Sequence, residues 1–307
     1  MRPIYISLAL SAALALAACD PCEDDYSDNM SVVSADQVEI SCNVVRENGK
    51  NVNAAVVEVK SSNPVQISNG VNTVYAPYAE LTLFNVGENT IYVTVMNPDL
   101  TVVEKTVKVS VDEMSDNYPV LPQYNLLTNG STKKWKWATA EDTRGVFGTR
   151  CWGNWGWTNP ANWFVEGSGA GIWWGCDKPE DLADQLSQSP TGVATGEESA
   201  DAYMVFSLNG TKIETYAADG KLIRSGKFDL SKWGSPRISY EGTLVTTAGS
   251  ILFPWQINKG GFAPTDFDVA LLTEDEMILC YSDASTINVA GGSVDGEATF
   301  WRFVAAD

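Results

Sequence analysis

Histidine is absent from this chain. That excludes Ser-His-Asp and Cys-His catalysis, and any metal site built on imidazole. Catalysis here would have to run on carboxylates, tyrosine or lysine. Positive charge is scarce: 20 Lys and Arg stand against 39 Asp and Glu, for a net charge of −19. Nucleic acid, which needs a positive face, is excluded as a partner. Electrostatic attachment to anionic lipid is disfavoured for the same reason. A local cluster, Lys133, Lys134 and Lys136, is a candidate anion receiver, but on a strand face it reads as solvated charge. No Asp-x-Asp-x-Asp-Gly loop is present to hold calcium. The apolar run Ile4 to Leu16 is too short to be a spanning helix.

What the chain has in abundance is tryptophan. Of eleven, eight fall between residues 133 and 176: Trp135, Trp137, Trp152, Trp155, Trp157, Trp163, Trp173 and Trp174. Glycines interrupt the stretch repeatedly, among them Gly153, Gly156, Gly171 and Gly175. Trp is hard to hide completely, because it is large and its N–H wants a partner. Gly lets loops fold back and lets a ligand approach the backbone. Two readings follow: a surface of flat apolar plates on which sugar rings stack, or a Trp-rich core beneath long loops. Trp135 and Trp137 sit at period two in KWKW and are expected in a core, as is Trp301. The glycan-contacting set is Trp152, Trp155, Trp157, Trp163, Trp173 and Trp174, with Asn154, Arg150 and Glu166 to read hydroxyls. Stacking of about 1 kcal/mol per ring would give roughly micromolar to millimolar affinity.

The chain begins with Arg2, the apolar run, and the small residues Ala17 and Ala18 before Cys19. Leu16-Ala17-Ala18-Cys19 resembles the lipobox of bacterial lipoproteins. The resemblance implies a signal peptide over 1–18 and lipid on Cys19. The acidic tract Asp20, Glu23, Asp24, Asp25 and Asp28 resembles the export signal of surface lipoproteins in glycan-foraging gut bacteria. Residues 19–30 are then an acidic tether, and the expected location is the outer membrane, facing outward. With Cys19 lipidated, five cysteines remain, so at least one thiol stays unpaired. Cys151 and Cys176 bracket the Trp loops and are the candidate disulfide.

Residues 31–112 read as short alternating strands separated by Asn48-Gly49, Asn63-Pro64, Asn69-Gly70 and Asn97-Pro98. Phe84 and Gly87, then Ile91 to Asn97, then a last strand ending at Val111, resemble a PKD or immunoglobulin-like module. Such a module implies a spacer. Residues 113–125, with Pro119 and Pro122, are a linker. Residues 126–307 form a second domain. A short helix is expected around Pro179 to Gln188. Antiparallel strands follow, with hairpin turns at Asn209-Gly210 and Asp219-Gly220. Gly226-Lys227-Phe228, the run Leu272 to Leu279 and Phe300-Trp301-Arg302-Phe303 resemble lipocalin-like domains of PKD-bearing surface lipoproteins that accompany polysaccharide-utilisation systems.

The expected fold is therefore all-β: a PKD or Ig-like β-sandwich, then a larger antiparallel lipocalin-like barrel or sandwich with one short helix. The expected function is non-catalytic glycan binding at the cell surface. Its partners are a polysaccharide or oligosaccharide, the membrane through Cys19, and an outer-membrane transport complex. No catalytic residue, metal or cofactor is assigned. One alternative is a structural or adhesion lipoprotein whose Trp loops grip a protein, because Trp and Arg also dominate protein hot spots. Another is a glycosidase using two of the carboxylates near the Trp loops, among them Glu141, Asp142, Glu166 and Glu180.

Overall fold

The structure, a computed structural model, describes residues 30–139, 155–158, 172–176, 179–182, 195–234, 242–256, 261–282 and 298–306. It is all-β, a sandwich followed by an eight-stranded antiparallel barrel, with one short α-helix among the described residues.

In the sandwich, β1 (Glu39–Glu47), β2 (Lys50–Lys60) and β5 (Tyr78–Thr82) make one sheet. The second sheet has β3 (Val65–Ser68), β4 (Thr73–Val74), β6 (Gly87–Met96) and β7 (Val102–Val111). Asn48 and Gly49 both have positive φ, and Glu47 pairs with Lys50, which makes a two-residue mirror-type turn. Period-two alternation sends Ile91, Val93 and Val95 of β6 inward against Val57, Val59 and Ile67. Each such side chain contributes roughly 1.5–3 kcal/mol of burial.

The chain enters the sandwich at one end and leaves at the other. Asn63 and Asn97 clamp the entering residues: Asn97 Nδ2 donates to Val33 O at 3.0 Å, and Asn63 Nδ2 donates to Ser31 O at 2.8 Å. At the exit, the buried Asn53 Nδ2 donates to Tyr118 O at 2.8 Å and its Oδ1 accepts from Ser115 N at 2.7 Å. The linker of the sequence reading is thus bolted to the sandwich. It ends in α1 (Gln123–Thr128), whose N-cap position is Pro122 and whose C-cap is Asn129 in the left-handed region.

The barrel strands are β8 (Thr132–Trp137), β11 (Tyr203–Ser207), β12 (Lys212–Tyr216), β13 (Leu222–Asp229), β14 (Gly242–Thr246), β15 (Asp266–Leu272), β16 (Glu276–Ser282) and β17 (Ala298–Ala306). Each pairs with the next, and β17 closes on β8 through Phe303↔Trp137 and Ala305↔Trp135. Closure removes the sheet edges. Between β8 and β11 the chain inserts a hairpin, β9 (Trp155–Thr158) and β10 (Ile172–Cys176), which joins the same sheet by pairing with β17.

The interior is packed solid. Trp135, Trp137, Met204, Phe206, Ile213, Phe228, Phe267, Leu279, Trp301 and Phe303 all meet there. The indole N–H groups are satisfied by carbonyls: Trp135 on Leu127 at 3.0 Å, Trp137 on Glu197 at 2.6 Å, Trp301 on Phe253 at 2.8 Å. β13 and β14 share only two pairs, Phe228↔Thr246 and Asp229↔Val245. The segment 247–256 lies along the rest of β13, where Arg224 binds the carbonyls of Gly249 and Ile251. Gly226 permits that approach, since a Cβ there would sit 2.6 Å from Ser250 Cβ.

Two local expectations, one turn and one helix, are revised. Ser207 pairs with Lys212, so the Asn209-Gly210 loop has four residues, in a 3-10 turn, not two. Docking on the sandwich shapes it: Gly210 N donates to Gly70 O at 2.5 Å, while Leu208 N continues the β8 pairing by donating to Ser131 O at 2.8 Å. The helix expected near Pro179 is a 3-10 turn at residues 179–182, and the rest of that stretch lies outside the described residues.

Candidate functional site

The tryptophans of the sequence reading separate into distinct fates. Trp135, Trp137 and Trp301 are core, as alternation requires. Trp155 is core as well: it is fully buried, with its ring edge-on to Phe253 at 5.2 Å. It therefore cannot offer a wet face to a ligand, and leaves the glycan-contacting set. Its place on β9 opposite Trp301 directs it into the barrel.

The hairpin β9–β10 brings two others together. Trp157 and Trp174 are directly cross-strand, and Trp173 lies at a bulge between the pairs Ile172↔Thr158 and Trp174↔Trp157. The exposure of the Trp157, Trp173 and Trp174 side chains lies outside what the described residues give. Cys176 is buried and lies opposite Trp155. Its proposed partner Cys151 lies outside the described residues, as do Cys19, Arg150, Trp152, Asn154, Trp163 and Glu166.

Extending the register shows what the sequence could not. Trp157 pairs with Thr299 on β17, and Thr299 pairs with Tyr281 on β16. One cross-strand row thus runs Tyr281, Thr299, Trp157, Trp174 over four strands. Beside it, Phe262 stands 47% exposed with its ring 5.6 Å from that of Tyr281. Phe262 and Tyr281 were missed because they are remote in sequence from the Trp stretch. Isolated aromatics in a loop and at a strand end carry no local signal.

This row lies at the end of β16 remote from the turn at Thr273 to Asp275. That turn is at the sandwich end, because Lys133 Nζ bridges the carbonyls of Leu126 and Glu274. The same contacts dismantle the basic cluster. Lys133 is bound to two carbonyls and lies 4.3 Å over the Trp135 ring, while Lys134 covers Tyr203 at 4.7 Å. Burial lowers the pKa of Lys133 below its ordinary value. No surface array of three free ammonium groups is left for an anion.

A concavity of about 580 Å³ lies between sandwich and barrel, lined by Asn69, Asn85, Asn89, Tyr92, Lys212 and Glu214 among others. Its polar groups largely serve each other. Asn85 Nδ2 donates to Gly130 O at 2.6 Å, Asn89 Nδ2 to Asn85 O at 2.7 Å, and Lys212 pairs with Glu214 at 2.5 Å. This is domain-to-domain contact. Of the carboxylates near the Trp stretch, Glu180 accepts from Ala200 N at 3.3 Å, which holds the 179–182 turn against the next segment. Among the described residues, no group of three or more Cys, Asp or Glu is placed to hold a metal ion.

No protein-family model and no curated protein matches the chain, so the functional reading rests on the geometry above.

Proposed function

We propose that this chain is a non-catalytic, lipid-anchored surface protein that binds a polysaccharide or oligosaccharide at the far end of its barrel. The observation that carries the reading is the cluster at the far end of the barrel: Trp157 and Trp174 in register with the buried Thr299 and the half-buried Tyr281, one step beyond the inward-facing Trp155 and Trp301, with the exposed Phe262 beside Tyr281. Sugar rings stack their C–H faces on aromatic rings, and the adjacent pair Trp157 and Trp174, at strand spacing of about 4.8 Å, suits one such contact. The filled interior argues in the same direction. A lipocalin-like barrel that held a ligand inside would need an open cavity, and among the described residues indoles and phenyl rings occupy that space.

The sandwich fits the role of a spacer. It takes the chain in at Ser31 to Val33 and releases it beyond Val111, at the end that contacts the barrel. An anchor at Cys19 would then lie on the opposite side of the molecule from the aromatic row.

The test is affinity electrophoresis of the chain against a panel of plant and host polysaccharides, followed by intrinsic fluorescence with any glycan that retards it. The expected result is retardation and a Trp spectral shift without release of reducing ends. Trp157→Ala and Trp174→Ala should each weaken binding about tenfold, roughly 1.4 kcal/mol. Reducing ends released by the native chain and lost in Glu166→Gln would make it a glycosidase instead. Absence of any glycan response, with a stably co-purifying envelope protein, would favour the protein-partner reading.

A further inference from the structure

The sandwich carries an apolar patch at the end where the chain enters it. Val32, Met96, Leu100 and Val102 are exposed by 61%, 45%, 78% and 52%. They are one patch, because Met96 pairs with Val102 across the β6–β7 turn and Leu100 N donates to Asn97 O within it. Val32 joins them through its neighbour Val33, whose N and O both bond to the Asn97 side chain. Leu100 is the telling member. It occupies the left-handed region at φ 67, where glycine fits without strain and leucine does not. A branched apolar side chain at the tip of a strained turn, held out into solvent, is a poor choice for a bare surface.

We infer that this patch rests on the surface of a zwitterionic lipid bilayer. The inference depends on the reading that the chain is anchored upstream through Cys19. Residues 19–29 separate that cysteine from the first residues of the sandwich. Fully extended, such a tether reaches about 35 Å, so it would leave the sandwich free to tumble above the lipid. The patch supplies a second, weaker contact that holds the entering end down and directs the barrel away. The exposed Asp99 adjoins Leu100 and the exposed Glu104 lies on the Val102 face of β7, so an anionic surface would repel the patch and a neutral headgroup would not.

Met96 is a built-in reporter, and Met114 is its control. Met114 is 39% exposed and follows the far end of β7, about 30 Å away by strand rise. The chain has no histidine, so a hexahistidine tag replacing Cys19 is its only strong nickel ligand. The tagged chain, residues 20–307, is held on phosphatidylcholine vesicles bearing a nickel-chelating lipid and oxidised with chloramine-T. Sulfoxide formation at the two methionines is read by mass spectrometry. Oxidation of Met96 relative to Met114 should fall at least fivefold on vesicles compared with the same chain in solution. Leu100→Asp and Val32→Asp, each checked for an unchanged melting temperature, should abolish that protection. An unchanged ratio on vesicles overturns the proposal. Protection that grows with protein concentration in the absence of lipid also overturns it, by assigning the patch to a second copy of the chain. The mass of the N-terminal peptide from the chain expressed with its own leader reports separately whether Cys19 is acylated. Anchoring can thus fail while the patch result stands, and the reverse.

Discussion

Arg224 grips Glu197 with both terminal nitrogens of its guanidinium, although the Glu197 side chain has no exposed surface at all. Glu197 also accepts from Phe253 N at 2.8 Å and from Thr195 Oγ1 at 2.7 Å. Its backbone carbonyl takes the Trp137 indole N–H. One carboxylate thus ties β13, the 195–201 segment and the 247–256 segment to the Trp-filled interior. The Arg224 guanidinium also lies 5.5 Å over the Trp255 ring.

Removing one partner of such a pair leaves a buried charge without its counter-ion. Arg224→Ala should lower barrel stability by about 3–5 kcal/mol in urea denaturation followed by Trp fluorescence. Glu197→Gln should cost less, roughly 1–2 kcal/mol, because the amide oxygen still accepts from Phe253 N and Arg224 reaches solvent. If the two substitutions cost the same, the carboxylate is not the centre of the network.

Trp155 and Phe262 should separate stability from binding. Trp155→Ala empties a fully buried site and should destabilise the barrel by about 3–5 kcal/mol. Phe262→Ala removes a half-exposed ring and should cost well under ~1 kcal/mol of stability. In affinity electrophoresis, Phe262→Ala should weaken glycan retention several-fold while its melting temperature stays unchanged. Normal retention in that variant would remove Phe262 from the site.

Cys42 gives a pH-dependent readout on the sandwich. Burial raises its thiol pKa above the ordinary value. At any pH below that raised value, a smaller fraction is thiolate than in a free cysteine, and the thiolate is the nucleophile. Alkylation of Cys42 by iodoacetamide should therefore be slower than that of a model peptide at pH 8. Its rate should climb with pH from a lower starting point and go on climbing after that of the peptide has levelled off. Mass spectrometry of the Cys42 peptide across pH 7 to 10 checks this.

Leu100→Gly should stabilise the sandwich, by about 1 kcal/mol in thermal denaturation, since only the left-handed strain is relieved. The same change should weaken lipid contact. A variant that is more stable yet less protected at Met96 on vesicles would show why a strained leucine is kept there.

Parts of this architecture were legible in particular residues. Asn48-Gly49 wrote a two-residue turn, and the alternation of Ile91, Val93 and Val95 wrote an inward face. KWKW put Trp135 and Trp137 into a core because two positions of one strand share a face. The burial of Trp155 was not legible in this way. The short run Trp155-Gly156-Trp157 has no flanking alternation, and its burial depends on lying opposite Trp301. Asn209-Gly210 signalled a turn but not its length, because the turn bends to meet Gly70 of another domain.

The sequence alone determined that the chain is β-rich, where its turns fall, that imidazole chemistry is excluded, and that aromatic rings crowd one stretch. Those are local properties, carried by residue type and by period two. Only the tertiary structure decided that the barrel is closed and full, that Glu197 is held by Arg224, and that Tyr281 and Phe262 join the Trp hairpin. Each of these depends on strand register and on contacts between segments far apart in the chain. No local pattern encodes such pairings, because the free energy that selects them is released only when the barrel closes.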